Sequence, residues 1–171
     1  MGTCPRHRNM KGFFVTLLVV FMGGKEVEMS SDGMKQLTSG FLKVLGACKT
    51  ELGLSDGVLS DMYHLWKEEY EQVSRDSGCM FSCMSKKLDI LDGDGKIHHD
   101  HTKEYVLSNG GGEDLARQLI NVAHDCEKQQ ESVEDECDRM LEIAKCLRKN
   151  IKEIQWTPKV EVVITEIVAD M

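Results

Sequence analysis

The 171-residue chain predicts an all-α protein, and three observations carry that prediction. Apolar residues recur every three to four positions in one segment after another, the spacing of a single helix face. The two prolines, Pro5 and Pro158, stand near the ends, so the long interval between them is free of the strongest helix breaker. No segment alternates apolar and polar residues convincingly, as a half-buried strand would. At 41% apolar and 29% charged residues the chain has an ordinary globular mixture, long enough for one domain with a real core. Lys and Arg number 21 against 29 Asp and Glu, for a net charge of −8, which excludes a protein that tracks nucleic-acid phosphates with a basic face.

Residues 1–29 read as a secretory leader. Arg6, His7, Arg8 and Lys11 form a basic start, and Phe13 to Met22 is an apolar run too short to span a membrane, which takes about 20 residues. Gly23-Gly24 offers small residues for cleavage. Removing this leader takes four basic residues (Arg6, Arg8, Lys11, Lys25) and two acidic ones (Glu26, Glu28), leaving 17 and 27 and a net charge of −10. It also takes Cys4, so seven cysteines become six, an even set that in an oxidising compartment implies three disulfides.

The elements of residues 30–171 follow in order. Met34, Leu37, Phe41, Leu45 and Cys48 make the first helical stripe. Cys79 and Cys83 then lie one turn apart in an apolar helical stretch that also carries Ser85. There the Ser85 hydroxyl either bonds back to the preceding turn or serves as a lone polar group in an apolar cavity. Asp92-Gly93-Asp94-Gly95 begins like a calcium loop, but its sixth position is Ile97 and its twelfth Lys103, where glycine and glutamate are required, so a turn is expected. His98-His99-Asp100-His101 reads as an exposed loop or pH-sensitive segment rather than a metal site, since adjacent helical residues do not converge on one ion.

Glu113 and Asp114, after the Gly110–Gly112 loop, open a helix whose stripe is Leu115, Leu119, Ile120, Ala123 and Cys126. Its His124-Asp125-Cys126 is similar to the catalytic helix of secreted phospholipases A2, yet the adjacent cysteines and Gly-rich calcium loop of those enzymes are missing, and no enzyme is expected. The last regular helix carries Cys137, Met140, Leu141, Ala144, Leu147 and Ile151. Beyond Trp156-Thr157-Pro158, the residues Val160, Val163, Ile164, Ile167 and Val168 form an apolar stripe flanked by Glu161 and Asp170. Its β-branched run is a weak helix former, so 158–171 is expected to be a conditional helix, with a permanently docked terminal helix as the alternative.

Helix geometry prunes the disulfides. Cys79 and Cys83, at i and i+4, have Cβ atoms roughly 5–6 Å apart, while a bridge needs roughly 3.5–4.5 Å. Cys137 and Cys146 face opposite sides of one helix, so that helix is clamped from both sides. Six cysteines allow 15 pairings, and these exclusions leave ten open. No pair has the C-x-x-C spacing of a zinc or redox site, so no metal or other cofactor is expected.

The cysteine spacing resembles that of insect odorant-binding proteins. Trp66-Lys67-Glu68, Gly78-Cys79, Cys83-Met84-Ser85, His98-His99, His124-Asp125-Cys126-Glu127-Lys128 and Trp156-Thr157-Pro158 are similar to the moth pheromone-binding branch. The resemblance covers about residues 30–171 and places the mature start at Ser30. It implies six or seven helices around an apolar cavity, with pairings Cys48–Cys83, Cys79–Cys137 and Cys126–Cys146.

It further implies a secreted carrier in the antennal sensillum lymph that binds a long-chain unsaturated alcohol, acetate or aldehyde. Ser85 would bond the ligand oxygen. Walls would come from Met34, Thr38 and Phe41, from Leu65, Trp66 and Phe81, from Ile90, Leu91 and Ile97, and from Tyr105, Ile120, Ala144 and Leu147. Leu65 and Leu147 stand where the family pattern has aromatics, and Tyr105 where it has Phe, so a clamp of aromatic rings around the ligand's double bonds is not carried over. His98, His99 and His124, neutral near pH 7 and charged near pH 5, would act with Glu161 and Asp170 in releasing ligand on acidification. An olfactory receptor, the sensory-neuron membrane or a second copy of the chain in a pH-dependent dimer are the implied further partners. A carrier of plant volatiles and a secreted helical interaction protein without a cavity are the alternatives, and Trp156 before Thr157-Pro158 favours the pheromone branch over the first.

Overall fold

The computed structural model describes residues 31–152 and residue 154. Residues 1–29, expected to be a leader, and the tail 158–171 therefore lie outside the described residues. Six α-helices run in order, α1 Ser31–Leu52, α2 Gly57–Lys67, α3 Arg75–Lys87, α4 His99–Ser108, α5 Glu113–Gln129 and α6 Glu136–Ile151, with a 3-10 turn at Tyr70–Gln72. Among the described residues the only β pairing is an isolated bridge between Leu91 and Ile97, which closes the Asp92–Gly95 turn. The all-α prediction is met.

Local chemistry explains where the helices begin and end. Gly53 leaves α1 at φ +63°, the left-handed conformation that glycine adopts without a Cβ penalty. Glu68 makes the same turn after α2 at φ 63° although it has a side chain. Its backbone N–H and that of Glu69 donate to the carbonyls of Leu65 and His64, closing the helix. Asp135 caps α6 by accepting from the Asp138 N–H at 2.9 Å. Glu113 and Asp114 sit in the first turn of α5, where the helix dipole favours negative charge.

The start of α3 is held by another helix. The buried Asp61 of α2 accepts from the Ser74 N–H and from Ser77 Oγ, each at 2.9 Å, and from the Ser74 hydroxyl. Burial alone would raise the Asp61 carboxyl, but these hydrogen bonds outweigh it and hold the carboxyl below its ordinary value.

The pairings observed are Cys48–Cys83, Cys79–Cys137 and Cys126–Cys146, those the family resemblance implies. They tie α1 to α3, α3 to α6 and α5 to α6. The close crossing of α3 and α6 depends on Gly78: a Cβ there would lie 2.0 Å from the Cys137 carbonyl oxygen. Beside it the Cys79 and Cys137 Cα atoms stand 4.4 Å apart. Arg75 reaches Asp135 at 2.5 Å and Asp138 at 3.4 Å, and both Ser82 and Lys86 bind Glu136, so polar links flank the apolar crossing.

Gly78→Ala should cost about 3 kcal/mol or more, since backbone rather than a flexible side chain blocks the added methyl. Gly46→Ala, in open space on α1, should instead raise stability by about 0.5–1 kcal/mol; thermal unfolding by circular dichroism compares the two. Asp61→Asn should cost about 2–3 kcal/mol at pH 7 by leaving buried hydroxyls badly matched. Because the folded Asp61 pKa is depressed, its stabilisation is fully present above the ordinary carboxylate value of about 4 and is lost as pH falls through the folded one. Melting curves of wild type and Asp61→Asn should therefore converge only under strongly acid conditions.

Candidate functional site

The apolar residues that the sequence nominates as walls converge from four helices and the loop after α3. Phe81 of α3, Leu91 after it, and Cys126, Met140 and Ile143 of α5 and α6 form one buried cluster. Phe41, Leu65, Ile97, Ala144 and Leu147 pack against it. Seven of the nominated residues thus share one cluster, and Met62, Val122, Met140 and Ile143 join them. Met140 already belongs to the stripe read along α6, whereas Met62 and Val122 carry no sequence signal beyond being apolar.

The other nominated residues are distributed around this cluster. Ser85 is buried on α3, one turn beyond Phe81, and its backbone carbonyl accepts from the Ile90 and Leu91 N–H groups, which positions the descending loop. Ile90 is half-buried in that loop, and Ile120 is buried on α5. Met34 and Thr38 fall on α1, seven and three residues before Phe41. Tyr105 turns its hydroxyl toward α1: a Cβ on Gly40 would lie 2.9 Å from it. Burial pushes the Tyr105 phenol up to about 12, so it stays protonated at any physiological pH.

Trp66 has a different neighbour from the one expected. The Arg148 guanidinium lies over its indole at 4.4 Å, and Arg148 Nε donates to the Trp66 carbonyl at 2.9 Å. Trp66 Nε1 is itself buried and has no hydrogen-bond partner.

The histidines form two parallel pairs at the start of α4. His98 caps that helix, its Nδ1 accepting from the His101 N–H at 3.3 Å, and the two rings stack at 3.7 Å. His99 faces His124 of α5, ring centres 5.8 Å apart. His99 is exposed and His98 and His124 are half-buried. Asp89 lies 2.9 Å from His101, and Glu127 3.3 Å from His124. Glu127 also accepts the Ile97 N–H at 2.8 Å, tying the loop that ends at His98 to α5. The Asp92 turn is an ordinary side-chain-closed turn, with Asp92 Oδ1 accepting from the Asp94 and Lys96 N–H groups at 2.9 Å, and not a calcium loop.

An open cleft of about 460 Å³ lies between the ends of α5 and α6, lined by Val122, which also packs on the cluster, and by Asp125, Lys128, Gln129 and Asn150. None of the nominated wall residues lines it. Glu161 and Asp170 lie outside the described residues. No group of three or more His, Cys, Asp or Glu among the described residues is arranged to hold a metal ion, and no described helix is long and apolar enough to cross a membrane.

Six helices stapled in this order around an apolar cluster define the class of small disulfide-stabilised helical binding proteins. A profile of the PBP/GOBP family matches residues 30–150, and the chain belongs to that family. It is 34% identical to pheromone-binding protein 2 of Epiphyas postvittana over 96% of this chain and 98% of the relative. It is 36% identical to general odorant-binding protein 2 of Heliothis virescens over 87% and 88% respectively. The crystal structure of Epiphyas postvittana pheromone binding protein 3 aligns with a TM-score of 0.65 at 45% identity, covering 68% of this chain and 99% of that one. Members of the family are binding carriers and not enzymes.

Replacing Glu127 with Ala should release the loop without unfolding the bundle. The Ile97 amide should then exchange with deuterium at least tenfold faster, with the α6 amides unchanged.

Proposed function

We propose that the protein is a secreted carrier that takes up a long-chain unsaturated alcohol, acetate or aldehyde and gives it up on acidification. The observation that carries this reading is the apolar cluster of Phe41, Leu65, Phe81, Leu91, Ile97, Ala144 and Leu147, drawn from four helices and the loop after α3 and closed by three bridges. Ser85, buried beside it, supplies the polar group for the ligand oxygen. Each buried methylene contributes roughly 0.8 kcal/mol, so about a dozen supply near 10 kcal/mol before the costs of association. Micromolar or better affinity follows without a strong polar contact.

Release rests on charge. The rings of His98 and His101 and those of His99 and His124 lie side by side, so positive charge on both members of a pair would be repulsive although Asp89 and Glu127 stand nearby. Acidification removes the desolvation cost of Glu161 and Asp170, so the tail 158–171 can enter the apolar cluster as a helix and expel the ligand. Residues 1–29 act as the secretory leader in this reading, and an olfactory receptor or the neuronal membrane receives the ligand. The general odorant-binding relatives, at identities equal to those of the pheromone-binding ones, support plant volatiles as a second ligand class. The 45% identity to a pheromone-binding structure favours the first.

A fluorescent apolar probe bound to the purified protein should be displaced by hexadecenol, hexadecenyl acetate or hexadecenal at micromolar concentration at pH 7, and at least tenfold less well at pH 5. Truncation after Thr157 should remove the pH dependence. Failure of every ligand to displace the probe refutes the carrier, and an unchanged pH profile in the truncated chain refutes the tail.

A further inference from the structure

The region where α2 ends against α6 holds an arginine whose charge is not fully matched. Arg148 is 8% exposed, and its guanidinium is stacked on Trp66. Nε is satisfied by the Trp66 carbonyl at 2.9 Å, and Nη2 stands 3.4 Å from Glu68. Arg148 Nη1 is closed off from solvent with no hydrogen-bond partner, and so is Trp66 Nε1 on the ring beneath it. Two buried donors on neighbouring side chains are each destabilising while unpaired. Such groups in folded proteins are met by an acceptor.

The charges point to what that acceptor is. Among the described residues Glu68 is shared between Arg148 and Lys152, so two cations meet one carboxylate and this trio carries a net positive charge. The adjacent Lys145 is paired with Glu142, and His64 with Glu69, so neither of those neighbouring carboxylates is available. Apolar contacts lead to the same place. Leu65 and Leu147, the residues just before Trp66 and Arg148, both pack on the apolar cluster. The backbone of α2 and α6 at Trp66 and Arg148 therefore borders that cluster, the side from which the head of a carried ligand would arrive.

The geometry points to a carboxylate-recognising subsite formed by Arg148 Nη1 and Trp66 Nε1, so that the carried ligand class includes long-chain fatty acids bound head-first at the junction of α2 and α6. The two oxygens of one carboxylate serve two donors at the edges of stacked groups, and its charge balances the trio. An alcohol offers one oxygen and no charge. A guanidinium with a free edge is the side chain best suited to discriminate between them. This rests on the carrier reading above and adds to it the class of ligand.

The test compares hexadecanoate with hexadecanol and hexadecyl acetate in displacing N-phenyl-1-naphthylamine from the disulfide-bonded protein at pH 7. Wild type should prefer the acid at least tenfold. Arg148→Met should bind acid and alcohol alike, and Arg148→Lys, which keeps the charge, should keep part of the preference. The Trp66 indole N–H resonance, assigned with Trp156→Phe, should shift with the acid and not with the alcohol; this measurement needs no variant at position 148 to fold.

Wild type that binds alcohol and acid equally overturns the subsite and leaves the carrier standing, as does an acid preference that survives in Arg148→Met. Loss of displacement by every ligand overturns the carrier and the subsite together. An acid preference that emerges only after truncation at Thr157 assigns the site to a carboxylate of the tail and overturns the ligand proposal.

Discussion

The contact on which the rest of the molecule depends is the crossing of α3 over α6, where Gly78 lies directly against the Cys137 carbonyl. Only a residue without a Cβ permits that approach, and the approach brings Cys79 and Cys137 to within 4.4 Å between Cα atoms. A second bridge from the opposite side of α6, Cys146 to Cys126, fastens α5. With α6 held from both sides, its apolar residues Met140, Ile143, Ala144 and Leu147 are presented to residues of α1, α2 and α3 at fixed depth. The bridges constrain a chain whose helices alone would be marginal, and the usual contribution of each is about 2–4 kcal/mol.

Polar groups do the positioning that apolar packing cannot. Asp61 fixes the entry of α3, Asp135 that of α6, and Glu127 holds the backbone of Ile97 beside the histidines. Each is a carboxylate accepting from backbone N–H groups, a directional contact that sets register where hydrophobic burial, being non-directional, does not. Arg148 belongs to the same class of device with one difference: its hydrogen-bonding capacity exceeds what the chain supplies around it.

Much of the fold and part of the site can be read in the linear chain. The stripes Met34–Cys48, Leu115–Cys126 and Cys137–Ile151 each became a helix, because a 3.6-residue period leaves no other way to bury one face. The i, i+4 spacing of Cys79 and Cys83 correctly forbade their pairing. Seven of the nominated wall residues, among them Phe81, Leu91 and Leu147, met in one cluster. Trp66 faces Arg148, 82 residues away, and the His98–His101 and His99–His124 rings are paired. Those features depend on which helix faces meet, and periodicity along one helix carries no information about its neighbour.

What the amino-acid sequence determines by itself is the helical class, the six-cysteine framework and the family, since periodicity, cysteine spacing and local motifs are properties of the linear chain. The tertiary structure alone decided that Gly78 is the point of closest backbone approach, that Asp61 is a cap for another helix and that Arg148 lies buried against an indole. The physical reason is the same in each case. A buried charge or a missing Cβ acquires its meaning from the partner that long-range packing brings to it, and that partner is tens of residues distant along the chain.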